Sequence, residues 1–159
     1  MIEAWIDDLA DVWAGIDLGN FGRVNSPHLI KDAKFPASIA PTDDFPIAIN
    51  LPTNFNPGNY GVSAPKRAFY SGVTQFHLKP NGAFEHMPEL LPWFGRILKA
   101  AAGNPTLNGK VELFWIPDQV DAITLGRDMT FGEETPHWGM LVKWNVKEPY
   151  DSQITVAMR

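Results

Sequence analysis

Apolar positions along this chain follow two spacings, and the chain changes character where its prolines gather. Ile2, Trp5, Ile6, Leu9, Val12 and Trp13 recur at the interval of one helix face, with Glu3, Asp7, Asp8 and Asp11 between them. This predicts an amphipathic helix that starts at residue 2 and stops at Gly15 or Gly19. Its early acids suit the positive end of the helix dipole. A second helix is expected over 84–102, with Phe84, Met87, Leu91, Phe94, Leu98 and Ala101 as its apolar stripe. Pro88 fits a first turn. Pro92 has no N–H to donate and crowds the preceding turn, so it is expected to kink this helix or delay its start. Gly103-Asn104-Pro105 should end it.

Elsewhere the period is two. Ile47 to Leu51 alternates, and Asn54 to Gly61 then reads as turn chemistry. Residues 68–79 place Tyr70, Thr74, Phe76 and Leu78 on one face, and Pro80-Asn81-Gly82 should close that strand with a turn. Val111, Leu113 and Trp115 alternate with Lys110 and Glu112. Ile123 to Leu125 and Met129 to Phe131 flank a bend at Gly126. The clearest strand is 138–147, with Trp138, Met140, Val142, Trp144 and Val146 on one face and Lys143, Asn145 and Lys147 on the other. A last strand is expected over 153–158. Between Val24 and Pro65 lie half of the fourteen prolines, which predicts a long loop-rich excursion. Strands do not alternate with helices, so the expected fold is α+β. A mostly antiparallel sheet is packed by two main helices in one domain spanning 1–159, with 24–65 as the Pro-rich excursion.

Composition narrows the function. At 159 residues the chain suits one domain with its own core. It has no cysteine, which removes disulfides, thiolate catalysis and Cys-type metal sites. The acidic start argues against an export signal, and no apolar run is long enough for a membrane span. A net charge of −5 with dispersed Lys and Arg disfavours grip on duplex nucleic acid. Charged residues make up only 19% of a chain with six Trp and ten Phe, which favours burial of surface between subunits. A well-filled core is the alternative.

The chemistry-bearing residues form no recognised motif. His86 and Glu89 are spaced to share an ion, but no third ligand follows, and a solvated helix end explains them as well. His137 follows Glu133 and Glu134 closely. This is either an acid–base pair or a polar cluster at a strand end. No nucleophile elbow or phosphate loop is present. Trp93-Phe94 can put one aromatic in the core and the other at an interface. The expectation is an assembly or binding protein without cofactor or metal, rather than an enzyme.

Several segments together resemble a known family. Arg96 to Ala101 ends a helix, and Thr106-Leu107-Asn108-Gly109-Lys110-Val111 leads into a strand. Phe131-Gly132 follows, and then His137-Trp138-Gly139-Met140-Leu141-Val142-Lys143-Trp144. This arrangement, mainly over 84–147, resembles the tail terminator proteins of long-tailed bacteriophages, with Asn108 standing where a second small residue is usual. The resemblance implies a homohexameric ring that caps the tail tube, contacts the tube protein, and joins it to a neck or connector protein. DNA would pass through without sequence-specific binding. The protein would belong to the virion tail, assembled in the host cytoplasm. Asp128, Glu133 and Glu134 would then be candidates for a lumen-facing loop, and Trp93, Phe131 and His137 for subunit or partner contact. Two alternatives stay open: another neck or head-completion adaptor, and a small hydrolase or ligand-binding domain using His137 with Glu133 or Glu134.

Overall fold

A computed structural model describes residues 2–16, 46–56, 68–80, 87–129 and 137–148. A short 3-10 turn (Ile2–Ala4) leads into α1 (Ile6–Ala14). There follow β1 (Ile47–Asn56), β2 (Phe69–Pro80), the short α2 (Met87–Leu90), α3 (Pro92–Ala102), β3 (Leu113–Trp115), β4 (Ile123–Met129) and β5 (His137–Lys147). The five strands form one antiparallel sheet ordered β1-β2-β5-β3, with β4 also on β5. Helices α1 and α3 pack on one face of this sheet, and the fold is α+β as expected.

The predicted face of α1 is the one that is buried: Trp5, Ile6, Leu9, Val12 and Trp13 all face inward. Two tryptophans anchor it by edge-to-face contact, the geometry that sets a ring's positive edge against its neighbour's negative face. Trp5 lies 5.3 Å from Tyr70 and 5.9 Å from Trp144, and Trp13 lies 5.2 Å from Phe76. Polar handles fix the same rings. The Trp5 indole donates to Glu148 at 2.6 Å, and the Trp13 indole donates to Asn50 at 2.9 Å. On the outer side of α1, Asp8 pairs with Lys110 at 2.7 Å.

The inward faces of β2 and β5 are also as predicted. Tyr70, Thr74, Phe76 and Leu78 are buried, as are Trp138, Met140, Val142, Trp144 and Val146. Four readings change. First, Asn54–Asn56 continues β1 instead of turning, because β2 supplies Ser71, Tyr70 and Phe69 as partners and a bulge after Pro52 absorbs the irregularity. Second, β3 turns Phe114 inward and leaves Leu113 exposed. Phe114 pairs with Val146, whose side chain points to the helices, and a slip of one residue inverts a strand's faces. Trp115 consequently stands half-buried on the outer face, away from the core. Third, the single helix expected over 84–102 is two helices among the described residues, with the break at Leu91 and α3 starting at Pro92, the late start expected from its missing N–H. Fourth, the buried stripe runs from Leu90 at the end of α2 through Trp93, Ile97 and Ala101 of α3, so that Leu90, Trp93 and Ile97 stand one position before the predicted Leu91, Phe94 and Leu98. The bend in β4 falls after Gly126, where its register with β5 shifts.

After α3 the chain makes a left-handed turn, with Leu107, Asn108 and Gly109 all at positive φ (45°, 61° and 78°). Leu107 is buried and pins the turn, while Thr106 accepts hydrogen bonds from Gly109 N and Val111 N. Asn is among the side chains that best tolerate this backbone after glycine, a physical reason for Asn108 at that position. The expected strand at 153–158 and the turns at Gly58, Gly61 and Gly82 lie outside the described residues.

Candidate functional site: the outer face of the second helix

Helix α3 is apolar on two sides. Its inner stripe sits in the core, where Trp93 lies 6.1 Å from Phe76 and the Arg96 guanidinium covers the Trp93 ring at 5.4 Å. Its outer stripe runs Leu91, Gly95, Leu98, Ala102, flanked by the half-buried Phe94. Leu91 is 54% exposed and Leu98 50% exposed, and a side chain added at Gly95 would meet nothing within 4 Å. Apolar side chains left open outside a helix's buried stripe are a surface a partner can cover. Of the predicted stripe, Leu91 and Leu98 face away from the core, while Phe94 is partly buried against it. This surface is the strongest candidate for subunit contact among the described residues.

Of the six residues singled out from sequence, Trp93 is placed within the core. Asp128 lies on β4 and His137 opens β5, where it pairs with Pro80 and Met129; their side chains fall outside the described set. Phe131, Glu133 and Glu134 also lie outside the described residues, and so do His28 and His86. His77 is buried on the outer side of β2, with Nε2 3.1 Å from Gln75 Oε1. Among the described residues no three His, Asp or Glu side chains converge as metal ligands, and no helix is long and apolar enough to cross a membrane.

Electrostatics at the surface are local. Lys143 donates to Asp121 at 2.6 Å, and this hydrogen bond, together with the charge attraction, holds the Asp121 carboxyl below its usual range. A carboxyl with a depressed pKa favours the folded state above its unfolded pKa. That contribution is lost as pH falls through the lower, folded value. Because the pair is exposed to solvent, the effect on stability is slight. In Lys143→Ala, a carbon-detected NMR titration should show Asp121 returning to the ordinary carboxylate range while the melting temperature hardly moves.

No protein-family model matches the chain, and no curated protein does either. The sequence reading missed the outer trough of the sheet described below, because its residues come from four separate strands.

Proposed function

We propose that this protein is a structural component of a long-tailed phage tail. In this reading it is the terminator, forming a hexameric ring that caps the tube and joins it to the neck. The observation that carries the reading is the second apolar stripe of α3. Leu91 and Leu98, with the edge of the half-buried Phe94, have the chemistry of a buried face, yet the two leucines are open in the single chain and a neighbouring subunit would cover them. The resemblance over 84–147 points to the same role. Two of the segments it rests on, the turn at 106–111 and strand β5 at Gly139, have backbone reasons for their small or turn-forming residues. A net charge of −5 fits a ring through which DNA slides without sticking.

The test has two arms. Native mass spectrometry of the chain mixed with purified tail tubes should give a ring of several copies, and negative-stain images should show tubes of fixed length with a cap at one end. Leu98→Asp places a charge in the stripe and should shift the assembly to monomer, with the circular dichroism spectrum unchanged because Leu98 lies outside the core. Uncapped tubes of unregulated length would overturn the terminator reading. A ring that binds a connector and not the tube would assign the protein to the neck instead.

A further inference from the structure

We infer that the outer face of the sheet holds a binding site for a neutral, polyhydroxylated ligand: one or two sugar rings of a saccharide. At the end of the sheet where β1, β2, β5 and β3 lie side by side there is a trough of about 360 Å³, lined by Asn54, Phe69, Ser71, Trp115 and Asn145, with Phe55 at its rim. This is near the lower end of small-molecule sites, about 300–1,000 Å³. Strand register builds it. Asn54 pairs with Ser71, Ser71 with Asn145, and Asn145 with Trp115, so one row of four side chains crosses the sheet on the face opposite α1 and α3. The next row on that face runs Asn56, Phe69, Lys147, Leu113.

The hydrogen-bonding capacity of this row is largely unused. Asn145 stands between Ser71 and Trp115, all three half-buried. Among the described residues none of the three makes a side-chain hydrogen bond. The amide offers two donors and an acceptor, the hydroxyl offers one donor and acceptor lone pairs, and the indole offers one donor. Neighbouring hydroxyls on a sugar ring present the matching alternation of donor and acceptor. Half-exposed polar groups at adjacent ladder positions that do not bond to each other leave their donors and acceptors available to a ligand.

The aromatic groups supply the second element of recognition. Phe69 is 38% exposed on this face, and Trp115 stands half-buried beside Asn145, whereas Phe55 stacks on Tyr70 on the helix side of the sheet. Phe69 and Trp115 offer flat apolar surfaces to the C–H face of a pyranose. A nucleotide could stack too, but it would need cations for its phosphates. The row next to the trough contains one, Lys147, whose ammonium lies 3.2 Å from Glu112 and 6.0 Å from the Phe69 ring, so its charge is already matched. Among the described residues, aromatic surfaces, an amide and a hydroxyl without side-chain partners, and a lysine already paired with Glu112 together favour a neutral sugar over a nucleic acid.

The experiment is a titration of the whole chain with glucose, galactose, N-acetylglucosamine, maltose and chitobiose, followed by amide NMR shifts and by tryptophan fluorescence. At least one of these should give saturable shifts with millimolar affinity, confined to 54–56, 69–71, 115 and 145. Asn145→Ala and Ser71→Ala should each weaken it by about tenfold and leave the melting temperature unchanged, since both side chains lie outside the core. Trp115→Phe should keep part of the affinity by retaining a ring without the N–H. Failure of all five sugars to saturate at tens of millimolar overturns the inference. So do shifts that survive both alanine variants, or tighter binding at the same residues by an oligothymidylate or an extended peptide. None of these outcomes touches the ring assembly, which is read by mass.

Discussion

Gly139→Ala should lower stability by about 3 kcal/mol, seen as a melting temperature reduced by roughly 6–12 °C. Gly139 lies in β5 opposite His77 of β2, beside the bulge that shifts the register after His77. A methyl group there would collide with the Phe76 carbonyl oxygen. It would also sit 3.1 Å from the Phe76 carbonyl carbon and 2.7 Å from Met129 Sδ. The methionine can swing aside, being flexible and unbranched. The Phe76 backbone cannot, because it belongs to the strand pairing that holds β2 to β5. The substitution must therefore separate the two central strands or move the bulge, and both disturb the core on the helix side. Urea unfolding with an unchanged slope and a much lower midpoint is the expected record. A midpoint equal to that of the wild type would mean that the two strands approach less closely than described.

The second large effect is at Asn50, at the centre of a buried polar chain. The Trp144 indole donates to Thr74 Oγ1 at 3.0 Å, the Thr74 hydroxyl donates to Asn50 Oδ1 at 2.7 Å, and the Trp13 indole donates to the same Asn50 oxygen at 2.9 Å. These contacts tie α1 to β1, β2 and β5 through one acceptor. Asn50→Leu keeps the volume but strands the Trp13 N–H and leaves the Thr74 hydroxyl without its acceptor. Each orphaned group costs about 1–3 kcal/mol. The loss is partly offset because the buried Asn50 Nδ2 has no partner to lose. A net cost of about 2–3 kcal/mol is expected, measured by chemical unfolding. Thr74→Val added to Asn50→Leu should cost less than the two single changes summed, since removing both ends of a buried hydrogen bond spares the orphan. Strict additivity would show that the chain does not act as a unit.

The legible parts of the fold are those where one period dominates. In α1 the charges occupy one side and the aromatics the other, so the buried face could be assigned from spacing alone. In β5 five apolar side chains alternate without interruption. Helix α3 was harder for a definite reason: Leu90, Trp93 and Ile97 and the parallel set Leu91, Phe94 and Leu98 are equally good stripes one residue apart. Only the sheet beneath decides which set is inward. Strand β3 has three residues, too few for alternation to fix its faces, and its pairing with Val146 decided the matter. Asn50 looked like an ordinary polar position in a strand. Its role appears only when Trp13, Thr74 and Trp144 arrive from three other elements. The trough has the same character, since Asn54, Ser71, Trp115 and Asn145 are neighbours through register and not through sequence spacing. The closeness of His137 to Glu133 and Glu134, and then the resemblance, drew attention to 131–137, and neither pointed to the outer face of the sheet.

The place of β5 in the sheet has a consequence for synthesis. It is the common partner of β2, β3 and β4, yet it is the last of the described strands to leave the ribosome. While residues 47–129 emerge, β1 and β2 can form a hairpin with α1 laid against it, but β3 and β4 have nothing to pair with. The inner face of β2 meanwhile waits for Trp144 and Val142. Such pairings across long stretches of chain are slow to close and leave apolar strand edges uncovered until they do. The nascent protein should therefore depend on chaperone cover up to about residue 147 and then fold in one late step. A ribosome-bound chain arrested before β5 should remain sensitive to protease, and one arrested well beyond it should resist.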